Sequence, residues 1–291
     1  MSGTIATADR SVPQSLAALL QIGKSKNLPL VMGVLNVTPD SFSDGGQFTD
    51  PQTAIAHARQ MVADGADILD VGAESTRPYG GMQPISAQDE QSRLSLVLGA
   101  VIGLHRPVSI DTQKALTAAW AIKQGAAIVN DVWGLQGDAD MARIVAKAAT
   151  PVIVMHNRRS ADPSIDIIAD VLGFFARSLE IATQAGVARD KIVLDPGIGF
   201  GKTPEQSMSC IAHLSVFKRF GLPLLVGASR KRFISTVVPT QPQQRLAGSL
   251  ASHLIAVENG AAIVRVHDVA ETVQALRVAA AIRNAPKGVS Q

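Results

Sequence analysis

Arg265 and His267 stand two positions apart at the end of an aliphatic run, so in an extended chain both side chains leave the same face. An arginine offers a planar fork of donors, and a histidine adds a donor or a positive charge; together they could clamp an anion. Comparable polar residues close seven other aliphatic runs: Asn36, Glu74, Asp111, Asn130 with Asp131, His156 with Asn157, Asp195, and Ser229 with Arg230 and Lys231. Any one of them could simply mark a strand leaving the core. Eight sets of acids, amides and bases at strand exits point instead to one shared site that binds and transforms a polar substrate.

Two phosphate-binding patterns are excluded. Residues 195–203, DPGIGFGKT, resemble a Walker loop, but Pro196 stands where a glycine is needed and offers no N–H to a phosphate. A dinucleotide fingerprint beginning at Gly197 and Gly199 would need glycine where Lys202 stands. These glycines are expected to let backbone lie close under a flat ligand. The histidines show no zinc-ligand spacing, and the single cysteine, Cys210, adds none. His57, His105, His213 and His253 read as surface or packing residues.

The elements that must position these groups follow from the same runs. Residues 30–35, 68–71, 108–110, 127–129, 152–155, 192–194, 224–226 and 262–264 are too short for helices and lack polar alternation, as buried parallel strands do. Between them, residues 53–63, 87–98, 114–123, 139–148, 167–185, 205–220, 244–258 and 270–282 carry helical spacing with alanine-rich faces. Eight strands alternating with eight helices predict an α/β protein with a closed (β/α)8 TIM barrel, whose strand ends converge on one mouth. Gly-Ala pairs at 65, 125 and 260 fit helix ends that feed short loops.

Composition agrees. Of 291 residues, 46% are hydrophobic and only 4% aromatic, so the core is made of small aliphatic side chains. One domain is expected over residues 29–285, with residues 1–28 as an N-terminal extension and 286–291 as a tail. A net charge of +3 with scattered Lys and Arg argues against nucleic acid as a partner. No apolar stretch is long enough to span a bilayer, and the first residues lack the order of a secretory signal, so a cytoplasmic protein is expected.

Seven strings carry a specific resemblance: VMGVLNVTPDSFSDGG (31–46), DVGAESTRP (70–78), SIDT (109–112), VNDVWG (129–134), LDPGIGFGK (194–202), SRK (229–231) and RVHDV (265–269). In this order and at these strand ends they resemble the dihydropteroate synthase family. That family joins 6-hydroxymethyl-7,8-dihydropterin diphosphate to 4-aminobenzoate and releases pyrophosphate. The resemblance implies Mg2+ on the side-chain oxygen of Asn36, touching the diphosphate. It implies that Thr76, Arg265 and His267 hold the same diphosphate. Asp195 would accept from the pterin's 2-amino edge, with Asn130, Asp111 and Lys231 as further pterin contacts. Phe42 and Pro78 would flank the benzoate ring, Asp44 would close the site around the departing pyrophosphate, and Arg77 would lock one loop to the other. Ser229 and the N-terminal turn after it would suit the carboxylate, with Arg230 among the implied substrate-binding residues. Asp44, Lys231, Arg265 and His267 are the implied catalytic groups.

Further implications are competition by sulfonamides, which mimic 4-aminobenzoate, and a homodimer. Two positions depart from the family's pattern: Ala73 replaces a common glycine, and Tyr79 stands where a smaller continuation is usual. A pterin-binding barrel that performs no condensation, or serves methyl transfer, would need an acid and an amide like Asp195 and Asn130. It would have no use for Asn36, Arg265 and His267 together.

Overall fold

A strand with no polar face must be covered on both sides, and eight such strands alternating with helices can do so by closing into a barrel with the helices outside. The computed structural model, which describes residues 16–37, 50–74 and 85–285, has that architecture. Strands β1 (Leu30–Asn36), β2 (Ile68–Gly72), β3 (Val108–Asp111), β4 (Ile128–Asp131), β5 (Val152–Met155), β6 (Ile192–Asp195), β7 (Leu224–Val226) and β8 (Ala261–Val266) lie in chain order, and β8 closes on β1.

The helices are α1 (Leu16–Lys26), α2 (Pro51–Ala63), α3 (Ala87–Ser95), α4 (Leu98–Ile102), α5 (Ala115–Gln124), α6 (Met141–Ala148), α7 (Ile167–Ala185), α8 (Pro204–Ala212), α9 (Arg232–Val237), α10 (Leu246–Glu258) and α11 (Val269–Arg283). Their starts are chemically marked. Asp166 accepts from the N–H groups of Ile168 and Ala169 to begin α7. Thr203 and Gln206 form a reciprocal capping box at α8, with Pro204 in the first turn. Gly65, Gly125 and Gly260 all adopt positive φ, as their place after a helix predicts.

Three details differ from the expected helices. Residues 87–98 divide into α3 and the start of α4. Residues 205–220 change winding after Ala212: Leu214–Phe220 is a 3-10 stretch. Leu214, Phe217 and Phe220 recur every third residue, which matches that tighter turn, and the last two meet Phe175 edge-on. A short helix, α9, precedes α10.

Two hydrophobic layers result. The larger lies between the strands and the outer helices. The smaller lies inside the barrel and is made of Leu30, Met32, Ile68, Ile128, Ile153, Val193, Leu225 and Ile263. Leu16 and Leu19 of α1, in the segment read as an extension, are buried in this inner layer and close the barrel's amino-terminal end.

Candidate functional site

Side chains two residues apart on a strand point the same way. From the inner aliphatic layer, one such step toward the carboxyl ends changes the chemistry: Ile68 leads to Asp70, Ile128 to Asn130, Ile153 to Met155, Val193 to Asp195, Leu225 to Gly227 and Ile263 to Arg265. On β3 the corresponding acid is Asp111. Asp111, Asn130, Met155, Asp195, Gly227, Lys231 and Arg265 line a narrow cleft at this end, with Val132, Ile198 and Phe200 as its apolar wall.

The cleft is built around one guanidinium. Arg265 donates from Nε to Asp70 at 2.6 Å and from Nη2 to Asp111 at 2.8 Å. Asn130 Nδ2 donates to the same Asp70 oxygen at 3.2 Å. Burial opposes charge on Arg265, but the carboxylates of Asp70 and Asp111 more than offset it and hold the group above its ordinary value. Burial pushes the Asp111 carboxyl up to about 7, against the pull of Arg265. Burial likewise raises Asp195 to about 6, opposed by the Gly197 N–H, Lys231 and Arg265. Among the described residues, the second carboxylate oxygens of Asp70 and Asp111 and the amide oxygen of Asn130 are buried without a partner. A pocket so supplied with unused acceptors fits a ligand edge rich in N–H donors.

At the rim, Lys231 Nζ sits 4.1 Å from the centre of the Phe200 ring. Ser229 Oγ accepts the His267 N–H at 3.2 Å and lies 3.0 Å from His267 Nδ1. When that hydroxyl donates to Nδ1, the imidazole proton is on Nε2. Asn36 ends β1 opposite Gly72 and is half-buried. Phe42, Asp44, Thr76, Arg77, Pro78 and Tyr79 lie outside the described residues. Ala73 is fully buried, and its carbonyl accepts from Arg93.

Several expected groups are committed elsewhere. Arg230, expected among the substrate-binding residues, pairs through two nitrogens with Asp268 and so ties the loop after β7 to the loop after β8. Its φ is +56°, a strained position for a side-chain-bearing residue. Ser229 spends its hydroxyl on His267. Asp131 accepts from the N–H groups of Trp133 and Leu135 and shapes a turn, although burial raises it to about 6. Glu74 takes Lys114 Nζ at 2.6 Å and the Ile85 N–H at 3.1 Å. Lys114 also reaches buried Glu90, which accepts from Thr117. His253 packs in the interior, while His57, His105 and His213 are exposed.

The glycines after Asp195 also differ from expectation. A Cβ on Gly197 would fall 1.9 Å from the His156 carbonyl oxygen, and one on Gly201 would fall 2.3 Å from that of Arg158. Their closeness serves the neighbouring loop after β5 rather than a flat ligand. Gly199, whose added Cβ would meet the Lys231 side chain at 3.3 Å, is the one nearest the cleft.

Among the groups around Arg265, the residue that sequence reasoning missed is Asp70. It was legible as the only charge inside the run ILDVG, one inward step beyond Ile68.

The pattern of the pterin-binding enzymes matches residues 32–267. Over 260 residues, covering 89% of this chain and 90% of the relative, the sequence is 42% identical to a dihydropteroate synthase of Bacillus subtilis. The chain belongs to the dihydropteroate synthase family. Solved structures of Xanthomonas albilineans dihydropteroate synthase are similar in fold. One, with 4-aminobenzoic acid, has a TM-score of 0.85 and 40% identity over 90% of this chain and 95% of that one. Another, in complex with 7,8-dihydropteroate, has a TM-score of 0.82 and 38% identity over 90% and 96%. As a dihydropteroate synthase family member the chain is a transferase with a single (β/α)8 domain.

Proposed function

We propose that the mouth of this barrel condenses 6-hydroxymethyl-7,8-dihydropterin diphosphate with 4-aminobenzoate to give 7,8-dihydropteroate and pyrophosphate. The observation that carries this reading is the juxtaposition of buried, unused acceptors on Asp111 and Asn130 with the cations Arg265 and Lys231. The acceptors and Asp195 match the N–H groups of a pterin edge. The cations suit the charge that grows on the diphosphate as its carbon–oxygen bond loosens. His267, oriented by Ser229, adds a donor for the same oxygens.

Asn36 is the proposed ligand for Mg2+. The single side-chain oxygen of Asn36, at the mouth end of β1, suits a Mg2+ ion that would take most of its oxygens from water and substrate phosphate. When bound it supplies charge neutralisation at the departing oxygens. Thr76 is assigned to the diphosphate, Phe42 and Pro78 to the benzoate ring, and Asp44 and Arg77 to closing the site. Arg230 acts through the loop it fixes by pairing with Asp268. The pyrophosphate leaves with the bonding electron pair, the aniline nitrogen attacks the methylene carbon, and its proton is then lost to solvent or phosphate.

A homodimer is also proposed. Helices α10 and α11 pack together, and Ile255, Val278 and Ile282 on them are exposed. No helix among the described residues is long and apolar enough to cross a membrane, in keeping with a proposed cytoplasmic location. The test is pyrophosphate release from the dihydropterin diphosphate and Mg2+, with and without 4-aminobenzoate, alongside chromatography of the product. Release that depends on both, with dihydropteroate formed, is expected. Tight pterin binding without turnover would instead favour a non-catalytic relative.

A further inference from the structure

Lys202 has no part in the chemistry above, yet it is among the largest side chains to be almost wholly buried, at 2% exposure. A buried ammonium is tolerated only when its donors are met. Here all three have acceptors: His156 Nδ1 at 2.6 Å, the Gly197 carbonyl at 2.9 Å and the Phe200 carbonyl at 3.2 Å. Because the ammonium can only donate, Nδ1 of a neutral imidazole accepts and Nε2 carries the proton. Nε2 lies 2.9 Å from Asp170, whose other oxygen pairs with Arg158 at 2.9 Å. Phe174 packs edge-on to the imidazole and fixes its plane.

Both carbonyls belong to the loop after β6. Gly197, which gives its carbonyl to Lys202, gives its N–H to Asp195 Oδ1 at 2.7 Å. Phe200, whose carbonyl also accepts from Lys202, carries the ring under Lys231. The ammonium therefore holds the loop from behind at the two residues that meet the pterin-facing groups in front.

We propose that Lys202 is a positioning residue for the pterin pocket: anchored to Asp170 through His156, it fixes the Gly197–Phe200 backbone and so aims Asp195 and Lys231 at the pterin. This rests on the reading that Asp195 and Lys231 contact the pterin. Held partners of this kind commonly set the precision of a binding group they never leave.

Lys202→Met keeps the chain length and removes the donors. In the folded variant, the KM for the dihydropterin diphosphate should rise about tenfold or more, with the KM for 4-aminobenzoate changed less than about twofold. A role confined to folding would lower the active fraction, and hence apparent kcat, while leaving both KM values in place. Should Lys202→Met fail to fold by thermal unfolding, Asp170→Asn at the half-exposed end of the chain carries the same test, with an expected rise of about threefold in the pterin KM alone. Asp195→Asn is the control for the pocket itself. If Asp195→Asn weakens pterin binding while the folded Lys202 variant, or Asp170→Asn in its stead, leaves the pterin KM unmoved, the positioning role is overturned alone. If Asp195→Asn also changes nothing, the pocket reading falls with it.

Discussion

The inside of the barrel is built twice from the same strands. Near its amino-terminal end, Ile68, Ile128, Ile153, Val193, Leu225 and Ile263, sealed by Leu16 and Leu19, form a dry aliphatic layer. One inward step further, Asp70, Asn130, Asp195 and Arg265, with Asp111, form a charged layer held together by a single guanidinium. Burying an aliphatic side chain stabilises by roughly 1.5–3 kcal/mol, and the lower layer does so without needing any partner of defined geometry. In the upper layer each charge is costly unless matched, which is why burial drives Asp111 and Asp195 upward. Adjacent layers of one barrel thus divide stability from function: the lower layer can hold strained, acceptor-rich chemistry in place above it.

The largest effect expected of this division is on Arg265. Arg265→Ala leaves two buried carboxylates without their counter-charge and should cost about 3–5 kcal/mol in denaturant unfolding, besides abolishing turnover. Adding Asp70→Asn and Asp111→Asn should recover stability but not activity. A single variant as stable as the parent would mean that water, not Arg265, compensates those acids. The lower layer gives the complementary result. Ile153→Ala should lose about 2–4 kcal/mol through its cavity while both KM values stay put. A shift in substrate affinity there would break the separation of the layers.

A smaller effect is read through pH. On the proposed reading Asp195 accepts two pterin N–H groups, which takes both oxygens of its ionised form, and burial pushes its carboxyl up to about 6, so pterin affinity should weaken as pH falls through 6, approaching tenfold per unit. The same raised value acts oppositely on the free protein. This group's contribution to stability is full below the unfolded value near 4 and is lost as pH rises through 6. Calorimetric titration of the pterin across this range checks the first part, and a flat affinity would remove the ionised Asp195 from the pocket. Acid has a separate effect through His253. Burial lowers it to about 4, and neither ring nitrogen has a partner among the described residues. Its contribution is present above 6.5 and is lost as pH falls toward 4, so His253→Leu should flatten that acid loss in a thermal melt.

Much of the site was legible in the strings around Asp111, Asn130, Asp195, Lys231 and Arg265, because chemistry placed after an aliphatic run marks a strand exit. Asp70 was hidden because it lies inside such a run, and only its two-residue step from Ile68 reveals it. Lys202 was hidden by the resemblance of its loop to a phosphate-binding one. Glu74, Asp131, His156 and Arg230 stand at strand exits like the others, yet they turn to Lys114, to backbone N–H groups, to Lys202 and to Asp268.

Local pattern by itself determined the order of eight strands and eight helical segments, since aliphatic content, helical period and capping act over a few residues. It also determined the family, whose strings are contiguous. Tertiary structure alone decided which polar groups share the mouth. Arg265 meets Asp70 across 195 residues of sequence and Asp111 across 154. No local rule specifies those partners; closure of β8 on β1 brings them together, and the desolvation that follows raises the Asp111 carboxyl while the two acids keep Arg265 charged.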